Sequence, residues 1–409
     1  MVKFRVVTYN VLSSHLAEPS RFPECAPMDL EANVRLKRIK EKLELEMLKT
    51  SVLCLQEVST LWVGKLHTFF LKHDYAFITG NYGSKRSGYM GVAIAFPRAH
   101  FEVVDVDITR VSDTRTWGQP PQDNDPPEHA GFGALEFLMR LAGRGAKRRR
   151  EDDAAPGSSG AEHGKAEEDH WQMAQRRLNQ ILFVRLRPKV PEESSSRATP
   201  DSGELGNGAD VSSGRPAAGF LNGTGNGHPP CPPSRMSWFC VGTYHMPCLF
   251  NDRPVMVMHT SMAIKHLVRL AGGDPLVFAG DFNFNPDSEC YKLVTEGDLD
   301  PTSPDFPERQ AWEKHWSPAT GVRLTSAYKE VTGAEPEFTN NAKVEQWPRF
   351  IDTLDYIFHT SGVRATKVLP LKHRDEVEGP YPSKTEPSDH VMLAAEYEVV
   401  EQEQTAALR

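Results

Sequence analysis

The sequence predicts an α/β fold in a single domain that two low-complexity inserts interrupt. Residues 3–12 (KFRVVTYNVL) have the apolar alternation of a strand, and residues 30–49 follow with apolar side chains at helical spacing. Strand and helix patterns go on alternating along the chain. Residues 191–234, in contrast, are about half Gly, Pro or Ser. Such a stretch buries too little apolar surface to offset the entropy of ordering it.

The elements after the first strand and helix follow from the same criteria of periodicity and run length. In chain order they are a strand at 51–55, a helix at 61–70, a strand at 91–96 (GVAIAF), a strand at 181–187 (ILFVRLR), a strand at 238–245, a helix at 254–270, strands at 275–283 (PLVFAGDFN) and 351–360, and a final strand at 391–400.

The two inserts are predicted at about 141–170 and 189–235. The first contains KRRR at 147–150, followed by a stretch, 151–169, with seven acidic residues and one lysine. Blocks of like charge are typical of disordered segments. We therefore expect one domain over residues 1–400, disordered inserts and a tail at 401–409. The KRRR run is a candidate nuclear address or RNA tether, although a solvated charge block is the simpler explanation.

Composition excludes several classes of protein. The six cysteines form no CxxC pair, which disfavours zinc ribbons and disulfide scaffolds. No apolar run approaches the roughly 18 residues of a membrane span. With 47 Lys+Arg, 55 Asp+Glu and a net charge of −8, the chain is not a simple basic coat for nucleic acid. We expect an intracellular protein that is cytoplasmic and makes no membrane contact, with the KRRR run leaving a nuclear location open.

Short polar clusters follow the predicted strands. Since ligands gather at strand termini in open α/β sheets, these groups can converge across long sequence gaps. Each cluster alone also has an ordinary explanation as a turn or a helix cap. The clusters are Asn10, Gln56-Glu57, Thr243 to His245, Asp281 to Asn283, and Ser388 to His390, with Asp355 in a further apolar run.

Taken together, the clusters indicate phosphate chemistry. Oxygen ligands such as Glu57, Asp281, Asn283 and Asp389 suit Mg²⁺ or Mn²⁺. Two histidines beside them can contact phosphate oxygens or move protons near neutral pH. Asp355 is a plausible orienting carboxylate for one of these histidines. The set predicts metal-assisted hydrolysis of a phosphodiester or phosphomonoester.

The motifs YNVL, LCLQEV, GTYH, AGDFN, TLDYIF and PSDH, in this order, resemble the endonuclease/exonuclease/phosphatase superfamily. LTSAYKEVTGAEPEFTN and EPSDHVMLAAEYE are similar to its branch of carbon-catabolite-repressor deadenylases, nocturnin, Angel proteins and 2′-phosphodiesterases. The resemblance covers about 300 residues, nearly everything outside the inserts. It implies a DNase I-like, four-layer α/β sandwich of two packed β-sheets flanked by helices.

The resemblance also implies a role for each residue. Glu57 would be the principal Mg²⁺ ligand, with Asn10 beside it and Asp389 helping through the metal or its water. Asp281 would position the attacking water rather than act as a strong base, and Asn283 would hold that water or a phosphate oxygen. The residues expected to contact and stabilise the scissile phosphate are His245 and His390, the latter paired with Asp355.

Substrate contacts are expected outside this set. Phe338 lies where similar enzymes place an aromatic ring beside a nucleobase, although it could equally pack under the next strand; Asn340 follows it in EPEFTN. Lys85 and Arg86, in a polar loop, are candidate phosphate contacts, with an ordinary exposed loop as the alternative. The acidic residue that related deadenylases carry before the strand at 91–96 is absent, so contacts on the substrate side are expected to differ.

Three functions remain open on the sequence. The first is a Mg²⁺-dependent 3′-to-5′ exoribonuclease that prefers adenylate-rich RNA and releases 5′-nucleotides. The second is a phosphatase acting on a nucleotide or RNA terminus, such as a 2′-phosphate, a 2′,3′-cyclic phosphate or NADP(H). The third is a nucleic-acid-binding module with an idle site, which the intact residue set disfavours. The chain shows no leucine-rich-repeat region of the kind that joins deadenylases to a larger complex.

Overall fold

The computed structural model describes residues 2–118, 169–189 and 238–400. The predicted inserts lie almost wholly outside these residues, as does the 401–409 tail, so their disorder stays a prediction. The described helices are α1 (Pro27–Leu30), α2 (Ala32–Met47), α3 (Thr60–Lys72), α4 (His170–Arg176), α5 (Arg253–Ala271), α6 (Glu289–Glu296) and α7 (Ala327–Thr332). The described strands are β1 (Lys3–Asn10), β2 (Val52–Gln56), β3 (Tyr75–Asn81), β4 (Gly91–Pro97), β5 (Phe101–Arg110), β6 (Gln180–Pro188), β7 (Phe239–His245), β8 (Leu276–Asp281), β9 (Thr325–Ser326), β10 (Asn340–Ala342), β11 (Phe350–Asp352), β12 (Asp355–His359), β13 (Val363–Val368) and β14 (Leu393–Val399).

Two six-stranded sheets form the centre of the molecule. Their strand orders are β13-β14-β1-β2-β4-β3 and β5-β6-β7-β8-β12-β9, and β10 and β11 form a separate hairpin. The two sheets pack face to face through a core that includes Val6, Val241 and Val277. Helices α2 and α3 cover the outer face of the first sheet, and α4, α5 and α6 cover that of the second. The predicted four-layer α/β sandwich is confirmed.

Local sequence explains how the helical layers attach. In α2, Leu36, Ile39, Leu43 and Met47 are buried at spacings of three and four residues and form one apolar stripe. Glu31 caps this helix, its carboxylate accepting a 2.7 Å hydrogen bond from the backbone N–H of Val34. The central strands are covered on both faces, which is why β1 is buried at every position after Lys3 and β8 is buried throughout.

Strand register brings the predicted polar clusters to one edge of the sandwich. In the second sheet, His245 and Asp281 are opposite each other on parallel strands β7 and β8, and Asp281 is opposite Asp355 on antiparallel β12. In the first sheet, Asn10 at the end of β1 pairs with Gln56. Gly280 permits this arrangement, because a Cβ there would lie 2.0 Å from the backbone oxygen of Tyr244.

The predicted helix at 254–270 and strand at 391–400 correspond to α5 and β14. The sequence criteria above do not single out β3, β5, β9 and β13, which lie at sheet edges, or β10, which lies in the separate hairpin. The single strand predicted at 351–360 is divided in the structure between β11 and β12. None of the helices that the structure describes has the length and apolar character needed to cross a membrane.

Candidate active site

A cleft of about 1170 Å³ opens where strands of both sheets end. One wall is the segment after β1 together with the β10–β11 hairpin, represented by Leu16, Ala342 and Val344. Tyr82 and Met173 also line the cleft. The polar residues of the lining include Glu57, Asn179, His245, Asp281, Asn283, Asn340, Asp389 and His390.

The floor of the cleft is acidic. The side-chain nitrogen Nδ2 of Asn10 donates to Oδ2 of Asp281 at 2.8 Å and to Oε1 of Glu57 at 3.3 Å. His245 Nε2 lies 3.6 Å from Asp281 Oδ2 and 3.9 Å from Glu57 Oε1. The carboxylates of Glu57 and Asp281, which come from different sheets, therefore both lie next to Asn10 and His245. The structure thus brings together four residues that the sequence predicted at strand ends: Asn10, Glu57, His245 and Asp281.

The orientation of the Asn10 amide is set by its surroundings. Its oxygen Oδ1 accepts a 2.9 Å hydrogen bond from the backbone N–H of Leu12. Its nitrogen consequently faces Glu57 and Asp281. An amide nitrogen carrying two hydrogens donates and does not bind a cation. In this geometry Asn10 holds the two carboxylates in place, and the metal-ligand role predicted for it would require the amide to turn.

Two residues of the cleft have an unusual backbone conformation. Glu57 has φ of 60° and Asn283 has φ of 52°, both in the left-handed region. Each directly or closely follows a strand, β2 or β8. Left-handed conformations at residues other than glycine cost free energy, about 1–3 kcal/mol, and persist where the surroundings fix them. Here they turn both side chains from the strand direction into the cleft.

His390 and Asp355 form a hydrogen-bonded pair beside the acidic floor. His390 Nδ1 lies 2.7 Å from Asp355 Oδ2, and that oxygen also accepts a 2.7 Å hydrogen bond from Thr339. The other ring nitrogen, Nε2, faces the cleft at 3.6 Å from Asp281 Oδ2. The pairing of Asp355 with His390 is therefore present as predicted.

Charge determines the protonation of His390. Burial lowers its pKa, but the carboxylates of Asp355, Asp281 and Asp389 outweigh burial and raise the pKa well above its ordinary value. The ring is consequently held as an imidazolium, which donates from both nitrogens. One donor is taken by Asp355, so the other is presented to the cleft.

The donor set fits a small divalent cation. Mg²⁺ is usually held by one or two carboxylates and several waters, and Glu57 Oε1 and Asp281 Oδ2 both face the same part of the cleft. Among the described residues, Asp281, Asp355 and His390 also offer ligand atoms within 4.8 Å of one another. In that group Asp355 and His390 are already bonded to each other. The oxygens of Glu57 and Asp281 are therefore the better candidates.

Three further predicted residues reach the cleft. Asn283 donates from its side-chain nitrogen to the backbone oxygen of Met246 at 2.8 Å, and its amide oxygen can accept from a ligand or bind a cation. Asp389 lines the cleft, and burial raises its pKa. Asn340 lines it beside His390, with which it forms a backbone bridge.

The three predicted substrate contacts Lys85, Arg86 and Phe338 are not in the lining. Lys85 and Arg86 lie on an exposed turn, and the neighbouring residues of that turn that face the cleft are Ser84 and Ser87. Phe338 is 2% exposed and lines a separate cavity of about 400 Å³ together with Val391. Its ring has no open face for a base in this conformation.

Several cleft residues were not predicted from the sequence. Phe250 and Phe350 line the cleft and are 50% and 40% exposed, so each offers an open ring face. Arg21 and Asn179 also line it, and Asn179 donates to the backbone oxygen of His245 at 2.8 Å. These residues belong to loops, the end of a helix or a short hairpin, where periodicity carries no signal.

Comparison with protein families and curated proteins gives consistent matches. The family described as "Endonuclease/Exonuclease/phosphatase family" matches residues 7–390. The chain is 36% identical over 128 residues to "Carbon catabolite repressor protein 4 homolog 4" of Arabidopsis thaliana, covering 30% of this chain and 27% of that protein. It is 27% identical over 165 residues to "2',5'-phosphodiesterase 12" of Rattus norvegicus, covering 38% and 26%. The matched stretches span about a quarter of the length of these curated relatives.

Solved structures show the same fold over almost the whole chain. ANGEL2, "a 2',3'-cyclic phosphatase, in complex with adenosine-2',3'-vanadate", aligns with a TM-score of 0.61 at 18% identity, covering 97% of this chain and 95% of that one. The human Nocturnin catalytic domain with bound sulfate anion aligns with a TM-score of 0.52 at 15% identity and the same coverage. At these identities the likeness shows the fold.

Proposed function

The chain belongs to the endonuclease/exonuclease/phosphatase family, and from that premise we propose that it is a Mg²⁺-dependent 3′-to-5′ exoribonuclease that prefers adenylate. It would hydrolyse the terminal phosphodiester of RNA and release a 5′-nucleotide. The observation that carries this proposal is the convergence of Glu57, Asp281 and the His390–Asp355 pair on one cleft. Carboxylates for a cation and a protonated histidine for a phosphate are the groups that such a hydrolysis needs.

Each protein group has a distinct task in this proposal. Glu57, with Asp281 or Asp389 nearby, would hold the cation, which neutralises phosphate charge when bound. Asp281 Oδ2 accepts from Asn10, so this oxygen is fixed in position and suited to orient the attacking water. His390 presents its Nε2–H to a phosphate oxygen and stabilises the negative charge that develops there. His245 faces the same place from the neighbouring strand.

The cleft also has features that suit a nucleobase. Phe250 and Phe350 leave their rings exposed at its lining. Stacking of a base on an aromatic ring contributes about 1–3 kcal/mol. The curated relative "CCR4-Not complex 3'-5'-exoribonuclease subunit Ccr4" of Aspergillus niger, 37% identical over 139 residues, carries an exoribonuclease name. Adenylate-rich RNA is the substrate class we propose on these grounds.

A second candidate is a phosphatase acting on a nucleotide or RNA terminus. The likeness to ANGEL2, described as a 2′,3′-cyclic phosphatase, favours it. The same acidic floor and imidazolium would serve, because both reactions transfer a phosphoryl centre to water. The candidates differ in which bond to phosphorus is broken.

We propose an intracellular, mainly cytoplasmic location. The cysteines that the structure describes, Cys25, Cys54, Cys240, Cys248 and Cys290, are all free thiols. Free thiols without a disulfide framework are typical of reducing compartments.

One experiment separates the candidates. The protein and its Glu57→Gln variant are incubated with 5′-labelled oligo(A), oligo(U), an oligonucleotide with a 2′,3′-cyclic end, and NADP(H), each with Mg²⁺ or EDTA. A Mg²⁺-dependent ladder on oligo(A) supports the exoribonuclease. Hydrolysis of the 2′,3′-cyclic end or of the phosphate of NADP(H), without shortening of oligo(A), supports the phosphatase. Identical behaviour of wild type and variant on every substrate contradicts both.

A further inference from the structure

Arg21 is a cation in the wall of the cleft that the site described above does not use. Its side chain lines the cleft, and its Nε is buried without a hydrogen-bond partner among the described residues. No ion pair joins it to a carboxylate of the described chain. A buried polar hydrogen without a partner costs free energy, about 1–3 kcal/mol. The position of this Nε–H beside a ligand cleft points to a ligand that supplies the missing hydrogen-bond acceptor.

The backbone around Arg21 is fixed on both sides. Its N–H donates to the backbone oxygen of Glu18 at 2.9 Å, and its own oxygen accepts from the N–H of Glu345 at 2.8 Å. The next residue, Phe22, is fully buried in a small core with Leu12. The backbone that carries Arg21 is therefore fixed, and its side chain makes no hydrogen bond to another described residue. The planar guanidinium fork suits bidentate binding of a phosphate.

Arg21 lines the same cleft as the groups that face the reacting phosphate, and Asp389 lies within range of its charge. The groups available to that phosphate are His245 and His390, at the strand ends beside Glu57 and Asp281. Arg21 belongs to the loop wall and forms no ion pair with either carboxylate. The cleft, at about 1170 Å³, also exceeds the roughly 300–1,000 Å³ of ordinary small-molecule pockets. It has room for more than one nucleotide.

We infer that Arg21 binds the phosphate adjacent to the scissile one, on the 5′ side of an RNA substrate. This inference rests on the proposed function, because it assigns the second phosphate of the same bound strand. It makes Arg21 a residue that selects polynucleotides over substrates with a single phosphate.

The test compares two dinucleotides that share one scissile bond. ApA has only that phosphate, whereas pApA adds a 5′-phosphate at the position assigned to Arg21. Dissociation constants are measured in EDTA, where no turnover interferes, and KM and kcat are then measured with Mg²⁺. The proteins are wild type, Arg21→Ala, Arg21→Lys, and Arg364→Ala as a matched loss of an exposed arginine paired with Glu398 on the far strands.

Wild type should bind pApA more tightly than ApA. Arg21→Ala should weaken binding of pApA and raise its KM by about 10- to 100-fold, the range for a hydrogen bond to a charged group, while kcat and ApA binding change little. Arg21→Lys should recover part of the loss, because it keeps the charge without the planar fork. Arg364→Ala should match wild type. Thermal melting should be unchanged in Arg21→Ala, because the side chain makes no hydrogen bond to another described residue.

An equal loss on both dinucleotides would place Arg21 at the scissile phosphate and overturn the inference, as would no loss on either. If wild type does not distinguish pApA from ApA, the inference is also wrong, whatever the activity. If Arg21 controls pApA binding but neither dinucleotide is cleaved with Mg²⁺, the inference holds and the proposed hydrolysis fails.

Discussion

The side chain of Asn10 donates a 2.8 Å hydrogen bond to Oδ2 of Asp281, 271 positions later in the chain. Asn10 ends β1 in one sheet and Asp281 ends β8 in the other, so this bond crosses the interface between the sheets. The acidic floor is consequently built by the packing of the sandwich. A substitution in the core that shifts one sheet against the other should therefore change the geometry of the site even though no site residue is replaced.

The His390–Asp355 pair gives the first prediction. In Asp355→Asn, the 2.7 Å contact to His390 Nδ1 loses its negative charge, so the ring is no longer held as an imidazolium facing the cleft. We expect kcat to fall about 100-fold or more, with a smaller change in KM. Steady-state kinetics on oligo(A) measures it. Asp352→Asn, three residues earlier, removes a carboxylate outside the pair and should change little; a similar kcat for the two variants would disprove the role of Asp355.

The second prediction concerns base stacking. Because Phe350 is 40% exposed in the cleft and Phe338 is 2% exposed outside it, the two phenylalanines should fail in different ways. Phe350→Ala should raise KM for oligo(A) about 5- to 100-fold with little loss of stability. Phe338→Ala should instead lower the free energy of unfolding by about 3–5 kcal/mol. Kinetics and chemical denaturation of both variants distinguish these outcomes, and the reverse pattern would support the stacking role first expected for Phe338.

Arg35 gives a prediction about how the site is held together. This fully buried side chain donates to the backbone oxygens of Pro387 at 2.7 Å, Val11 at 2.6 Å and Leu12 at 2.7 Å. It thus links the residues after Asn10 to the segment before His390. Arg35→Met leaves three carbonyl oxygens without this donor and should cost about 3–5 kcal/mol of unfolding free energy.

The control for Arg35 lies one helical turn further along α2. Arg38 is partly exposed and pairs with Asp29 at 2.7 Å. Arg38→Met should cost about 1 kcal/mol or less, since exposed ion pairs contribute little. Urea denaturation of both variants provides the comparison. Equal losses would show that the buried guanidinium has no special structural role.

The sequence predicts a site residue when that residue ends a strand with clear apolar periodicity. Asp281 and His245 end apolar strands, so periodicity and strand-end polarity locate them, and register then places them side by side. Phe338 and Phe350 are different, because Phe338 precedes the short strand β10 and Phe350 begins the short strand β11, in a region without clear periodicity. The packing of the β10–β11 hairpin determines which ring faces the cleft, and this packing cannot be predicted from the sequence pattern.

The same reasoning applies to the residues that the sequence did not single out. Arg21 and Arg35 have no strand or motif to mark them, and each acquires its role from tertiary contacts with segments distant in sequence, such as Glu345 and Pro387. Lys85 looks like a phosphate contact in sequence, but its turn directs Ser84 and Ser87 to the cleft. Which side chains of a loop face the cleft is therefore determined by the fold.

His259 gives a prediction for the dependence of stability on pH. Burial lowers its pKa to about 4, with Arg177 and Arg110 adding to the effect, while its ring contacts the hydroxyl of Tyr244 at 2.8 Å. The unfolded chain takes up a proton near pH 6.5, whereas the folded chain does so only near pH 4. The stability contributed by neutral His259 is therefore complete above pH 6.5 and is lost as the pH falls towards 4, by about 3 kcal/mol in total.

The difference between two variants isolates this effect. His259→Gln should be less stable than wild type at pH 7 but should show a flatter dependence of unfolding free energy between pH 6.5 and 4. His315→Gln, which changes an exposed histidine, should keep the wild-type slope. Urea denaturation at a series of pH values measures both. An unchanged slope in His259→Gln would contradict the assignment.

The central claim is that the carboxylates at the strand ends form a cation-dependent site for hydrolysis of RNA. The most direct measurement is the initial rate of shortening of 5′-labelled oligo(A) by wild type and Glu57→Gln as Mg²⁺ is titrated from zero. Wild type should show no activity in EDTA and a saturable rise with Mg²⁺, and Glu57→Gln should lose at least about 100-fold of the rate at saturation. A wild-type rate that is independent of Mg²⁺, or equal in Glu57→Gln, would contradict the claim.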